Sequence, residues 1–197
     1  MSIRVTSPPG VEPLSIAEAR DHLRYEDVDC DEESLGLIEA ARQKIEEWEW
    51  RAHITQTIEM TLDRFPAVPD VIYVPRPRLQ AGPTIAYVDC DGDDQTLAPD
   101  QYQVDTKSEP GRIKPAYGLA WPATRDQFAA VTVTYKAGYG DAASAVPPRT
   151  KHAIKLLLGH LWRNREAVSA VRLTEVPMAI DALLRPVHDE RVLEFIK

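Results

Sequence analysis

The spacing of the apolar residues changes twice along this chain, and prolines crowd the stretch between the two changes. From Thr55 to Tyr135 the apolar positions alternate with polar ones in short runs. Thr55 to Phe65 (TQTIEMTLDRF) sets Ile58, Met60 and Leu62 against polar neighbours, the period of a strand with one wet face. Val71 to Val74, Thr84 to Val88, Tyr102 to Val104 and Ala130 to Tyr135 (AVTVTY) continue the pattern. Pro66, Pro69, Pro75, Pro77, Pro83, Pro110, Pro115 and Pro122 stand between these runs. Proline lacks the amide proton and clashes with the preceding helical turn, so this region cannot hold a long helix. Short strands at such intervals predict a small antiparallel sheet or a partial barrel.

Outside this region the period is helical. Ser15 with Glu18 three residues on forms a capping box, and Ile16, Ala19 and Leu23 give a short stripe ending near Arg24. A longer helix begins around Asp31, with acids in its first turn and Leu35, Ile38, Ala41, Ile45 and Trp48 spaced by three or four. Pro147 and Pro148 suit the first turn of a third helix, in which Ile154, Leu157, Leu158, Leu161 and Trp162 share a face. A last short helix is predicted from Met178 to Leu184, between Pro177 and Pro186. The expected fold class is α+β: an N-terminal helical hairpin, a central sheet or partial barrel, C-terminal helices and an extended tail. Residues 1–186 read as one domain, with helices in 15–53, strands in 55–136 and helices in 147–185, and 187–197 as the tail.

The hydrophobic fraction, 44% of 197 residues, is enough to build a core. Thirty-one acids against 23 Lys and Arg leave a formal charge of −8, a poor basis for gripping nucleic acid phosphates. The charge is uneven. Glu26 to Glu33 (EDVDCDEE) has six acids in eight positions, whereas Arg149 to Arg165 has five Lys or Arg and no acid. Both runs read as solvated surface or as complementary patches between subunits. Cys30 and Cys90 form no CxxC and read as reduced thiols. With no apolar run resembling a signal peptide or a membrane span, a soluble intracellular chain with no membrane partner is expected.

Asp89, Asp91 and Asp93 alternate like calcium-loop ligands, with Asp100 at the twelfth position. Such a loop needs Gly at position six and a bidentate Glu at twelve, whereas Gly92 stands at four. Asp91-Gly92 between strand-like runs, with Gln95-Thr96-Leu97 returning, is instead the signal of a hairpin tip. His22, His53, His152, His160 and His188 show no metal spacing and read as packing or surface residues. Ala137-Gly138-Tyr139-Gly140 lacks the further residues of a phosphate loop and reads as a turn. Neither Ser144 nor Ser169 lies in a nucleophile elbow. The sequence supports neither an enzyme nor a cofactor.

It does show apolar surface beyond the needs of one core. Leu156 lies roughly opposite the Ile154/Leu158/Leu161 face, and Trp48 and Trp50 cannot both face one core from a regular helix. With the charged runs, this makes Trp50, Leu156, Arg149, Lys155, Arg163, Glu32 and Glu33 the candidate subunit contacts.

In order along the chain, PLSIAEARDHLR, LIEAARQKIEEW, ITQTIEMTLDRFP, VPRPRLQAGPTIAYVDCDGDDQTLAPDQYQVD, GRIKPAYGLAWPATRDQFAAVTVTYKAGYG and VPPRTKHAIKLLLGHLWRNREAV resemble the head–tail connector (adaptor, head-completion) family of long-tailed phages and gene transfer agents. The likeness covers roughly Pro13 to Pro186, departing where the family often has Gly-Arg and this chain reads Trp50-Arg51-Ala52. The resemblance implies a virion structural protein made in the bacterial cytoplasm and placed in the neck. It implies a ring, usually of twelve subunits, beneath the portal protein, which extends the DNA channel and docks the next neck or tail protein, a stopper or tail terminator. DNA would pass without specific binding. By position, Val192, Leu193, Phe195 and Ile196 of the tail would reach the portal. A nucleic-acid-binding module using the basic helix 149–165 is the alternative reading, and a small hydrolase or calcium-dependent binder a third.

Overall fold

A computed structural model describes residues 1–25, 31–67, 70–80, 82–164 and 178–184. Helix α1 (Ile16–Leu23) opens with both bonds of the capping box: the Glu18 amide donates to Ser15 Oγ, and the Ser15 amide to Glu18 Oε2 at 3.0 Å. Arg24 closes it in the left-handed conformation, its amide bonded to the Arg20 carbonyl. Arg20 then ion-pairs with Asp31, the first residue of α2 (Asp31–Glu49), and the Tyr25 hydroxyl donates to Ser34 Oγ at 2.7 Å. Helices α3 (Pro148–Arg163) and α4 (Met178–Leu184) complete this layer. Its core joins Leu14, Ile38, Ile45, Ile154, Leu158 and Ile180.

Among the described residues, eight strands form two antiparallel sheets. Strands β1 (Ser2–Ser7), β2 (Gln56–Leu62), β4 (Thr84–Val88), β5 (Asp94–Thr96) and β8 (Val131–Ala137) make a five-stranded sheet in the order β1-β2-β8-β4-β5. Strands β3 (Ile72–Val74), β6 (Tyr102–Asp105) and β7 (Gly111–Pro115) make a three-stranded one, ordered β3-β7-β6. The sheets share one apolar core, in which Ile58, Met60, Ile85, Val133 and Tyr135 meet Val74 and Ile113. Both sheets are open and antiparallel, in agreement with the expected small antiparallel sheet or partial barrel, and no closed barrel forms among the described residues.

Alternation explains the central pairing. Ile58 stands opposite Tyr135 and Met60 opposite Val133, and a shift of one residue would turn this apolar set to solvent. Buried tyrosines tie the proline-rich connections to the sheets: Tyr135 donates to the Pro75 carbonyl (2.9 Å) and Tyr102 to that of Pro83 (2.6 Å). The β4–β5 hairpin takes the place of the calcium loop. Asp89 Oδ1 accepts the amides of Asp91, Gly92 and Asp93, and Gly92 supplies the positive φ of the turn. Those bonds, the Asp93 amide foremost, hold the Asp89 carboxyl below its ordinary range.

Two features were not read from the sequence. Strand β1 is an edge strand, bonded among the described residues to β2 alone, and of its residues Ile3 is half-buried and the rest are exposed. In α2 the buried face carries Ser34, Arg42, Glu46 and Glu49 beside Ile38, Ala41 and Ile45, while Leu35 of the predicted stripe is 43% exposed and Trp48 is half-buried. The helix ends at Glu49 because Trp50 turns to φ +50.

Candidate subunit interface

The polar side of α2 meets the sheets at a buried joint. Arg42, 3% exposed, reaches Glu12 (2.8 Å) and Glu46 (2.9 Å). Glu46 also accepts the His53 amide and Gln56 Nε2. His53 Nε2 lies 2.5 Å from Glu49, and both side chains are buried. Beyond them Arg51 and Arg78 hold Glu109 between them, at 2.7 and 3.1 Å. The hydrogen bond from Arg51 lowers the Glu109 pKa, against the opposing effect of burial. The AGYG turn closes on this joint: the Tyr139 amide donates to the His53 carbonyl and the Thr55 amide to that of Gly140. Only glycine fits at position 138, where φ is +142° and a Cβ would lie 2.6 Å from the backbone of Ile54 and Thr55.

A second concentration of charge faces solvent. Between the C-terminal halves of α1 and α3 runs a groove of about 600 Å³, lined by His22, Leu23, Arg24, Leu156, Gly159, His160, Trp162 and Arg163. The helices approach closely because α3 has Gly159 there; a Cβ would stand 3.3 Å from the His22 ring. Trp162 stacks on Tyr25, ring centres 5.0 Å apart, so its position is fixed from the α1–α2 connection. Burial pushes His22 below its ordinary pKa; a hydrogen bond with the Lys155 backbone opposes this, and the charges of Lys155, His152 and Arg163 add to it.

The candidate contact residues do not form one patch. Leu156 and Arg163 line the groove, Leu156 half-buried against the helical core and Arg163 exposed. Arg149 is exposed at the start of α3, and Glu32 and Glu33 are exposed in the first turn of α2. Lys155, with Lys151, lies beside Glu18 of the same chain, at 3.6 and 3.8 Å. Trp50 lies at the joint, with the Arg76 guanidinium 4.8 Å above its ring. Val192, Leu193, Phe195 and Ile196 lie outside the described residues, as does Arg165 of the basic run.

Sequence reasoning passed over His22, Arg24, His160 and Trp162 as groove residues. A signal for half of the groove was present: Leu156, Gly159, His160 and Arg163 fall at i, i+3, i+4 and i+7, one stripe of α3. The α1 half had none, because the approach of His22 to Gly159 is a tertiary contact.

No protein-family model matches the chain, and no curated protein matches it in sequence. Solved structures do. A chain in the neck of an empty gene transfer agent (GTA) particle, computed with C6 symmetry, superposes with a TM-score of 0.78 at 23% identity, covering 95% of each chain. A chain in the virion of a native GTA particle gives a TM-score of 0.76 at 22% identity over 94% of each chain. One in the neck of a native GTA particle, computed with C12 symmetry, gives 0.73 at 21% identity, covering 95% of this chain and 94% of that one. At these identities the likeness establishes the fold: the chain is built like those chains almost from end to end.

Proposed function

We propose that the chain is a structural subunit of the neck of a phage or phage-like particle, an adaptor that forms a ring beneath the portal. The carrying observation is the match over 95% of both chains, at a TM-score of 0.78, to a chain in a GTA neck. That likeness is one of fold, and it runs over nearly the full length of both chains. The resemblance of the motif order from Pro13 to Pro186 to head–tail connectors supports the same reading from the sequence side. The ring extends the DNA channel and presents its far side to the next neck or tail protein. Subunits with a formal charge of −8 give passing DNA no gain from counterion release, so it passes without being held.

Light scattering on the purified chain, with negative-stain images, tests this reading. The expected particle is a ring of about twelve copies of a 22.1 kDa chain, closed by a head-to-tail contact. Where the free chain stays single, the ring is expected on a purified portal, and deletion of residues 187–197 should abolish portal binding while the melting curve is retained. A chain that neither forms rings nor binds the portal refutes the proposal.

A further inference from the structure

We propose that the α1–α3 groove receives the outer face of α2 from a neighbouring copy of this chain, and that this pair of surfaces is the head-to-tail contact of the ring. The inference rests on the ring reading, since a ring joins one patch of each subunit to a different patch of the next. The outer face of α2 carries Glu32, Leu35, Gly36, Glu39, Gln43 and Glu47, all exposed and all on one stripe at 100° per residue. No cation falls within the stripe. Of its three glutamates, Glu39 lies 3.8 Å from Arg42 and Glu47 3.1 Å from Lys44, while Glu32 meets no cation among the described residues. The groove is the converse. It has an apolar floor of Leu23, Leu156 and Trp162 and a rim of His22, Arg24, His160 and Arg163, with no acid among the described residues of its lining. Neither Arg24 nor Arg163 has a carboxylate partner among the described residues, although the same α1–α3 pair does place Lys151 and Lys155 on Glu18.

Charge selects the occupant. A convex acidic helix bearing one exposed leucine complements a concave basic channel with an apolar floor, and opposite potentials across an interface fix partner and register. Leu35, 43% exposed, supplies the apolar residue that would meet Leu156 and Trp162, and Glu32 and Glu39 flank it one turn to either side. The stripe is also low in profile. Gly36 carries no side chain, and Ala40, one turn on and exposed, carries only a methyl group, so neither holds the helix away from a partner.

Charge reversal on either side, then on both, tests the pairing. The variants are E32K/E39K, R24E/R163E and the chain carrying all four changes, each checked by melting curve and far-UV circular dichroism. Light scattering reads assembly, on the portal where the wild type needs it. Each double variant is expected to fall to the 22.1 kDa of one chain, and the fourfold variant to return to the ring. Rings unchanged in the double variants overturn the inference while leaving the ring reading intact. Loss in both without recovery in the fourfold variant also overturns it, assigning the patches to other partners such as the portal or the next neck protein. A wild type that never assembles refutes the ring reading itself.

Discussion

Two regions of this molecule treat charge in opposite ways. At the joint between helices and sheets, Arg42, Glu46, Glu49, Arg51 and His53 are buried. Arg42 and Glu46 bond to each other, Arg51 to Glu109 and His53 to Glu49. Along the α1–α3 groove and the outer face of α2, Arg24, Arg163 and Glu32 reach no opposite charge among the described residues. The joint's ion pairs orient one part of the chain against another, because breaking a buried pair is costly, although Glu49 Oε1, Arg51 Nε and His53 Nδ1 have no hydrogen-bond partner among the described residues. The surface charges reach no such partner among the described residues, which leaves them to the contact proposed between chains. The difference predicts that substitutions at the joint act on folding and those at the groove on assembly.

The largest effect is expected at the joint. Arg42→Ala leaves Glu46, 4% exposed, and Glu12 without their cation, and removing one partner of a buried pair costs about 3–5 kcal/mol. Urea unfolding measures it; a loss under about 1 kcal/mol, the range of an exposed pair, would show that the joint is wetter than its geometry. Ile58→Ala in the sheet core and Ile154→Ala in the helical core, both fully buried, are each expected to lose about 2–5 kcal/mol by transfer and cavity formation. Agreement between these and Arg42→Ala would place the polar joint on a par with the two apolar cores. A far smaller loss at Ile154 would mark the helical layer as the weaker half.

The joint was the least legible part of the sequence. Arg42, Glu46 and Glu49 belong to a helix whose apolar period is carried by Ile38, Ala41 and Ile45, and polar residues beside such a stripe read as its wet side. Residue type reports hydrophobicity but not the partner that makes burial possible, here Glu12 or the His53 amide from elsewhere in the chain. Local signals fared better: the capping box at Ser15, the Asp91-Gly92 hairpin and the helix from Met178 to Leu184 stand where the spacing put them. Two strands of the three-stranded sheet, 71–74 and 102–104, were legible, but its pairing was not, because Tyr73 pairs with Arg112 in a register that no local pattern encodes. Of the groove, the α3 stripe was legible and the α1 side was not, for the same reason.

Acid gives a middle-sized test. Glu109 has its folded-state pKa lowered from 4.5, chiefly by the hydrogen bond from Arg51. The sign follows from linkage: the unfolded chain binds the proton more readily, so this contribution is full above the ordinary value of 4.5 and is lost as pH falls through the lowered folded value. Melting temperatures followed from pH 7 downward should decline below about pH 4.5, and the decline should be shallower in Glu109→Gln, which has no proton to bind there. Equal slopes in the two proteins would mean that the acid limb belongs to other carboxylates. Glu18, lowered by the Ser15 amide and by Lys151 and Lys155, is the next one to substitute.

The smallest effect on stability is expected where the effect on assembly is greatest. Arg163 is exposed, ends α3 and has no carboxylate partner among the described residues. Surface substitutions away from buried features stay within about 0.5 kcal/mol, so Arg163→Glu should unfold at nearly the wild-type urea concentration. A somewhat larger loss is still consistent, because a cation in the last helical turn favours the dipole by about 0.3–1 kcal/mol. A loss in the range of Arg42→Ala would dissolve the contrast between the two regions, since Arg163 would then be a structural charge whose partner lies within its own chain. Near-neutral unfolding together with failed ring formation would separate folding from assembly at single-residue resolution.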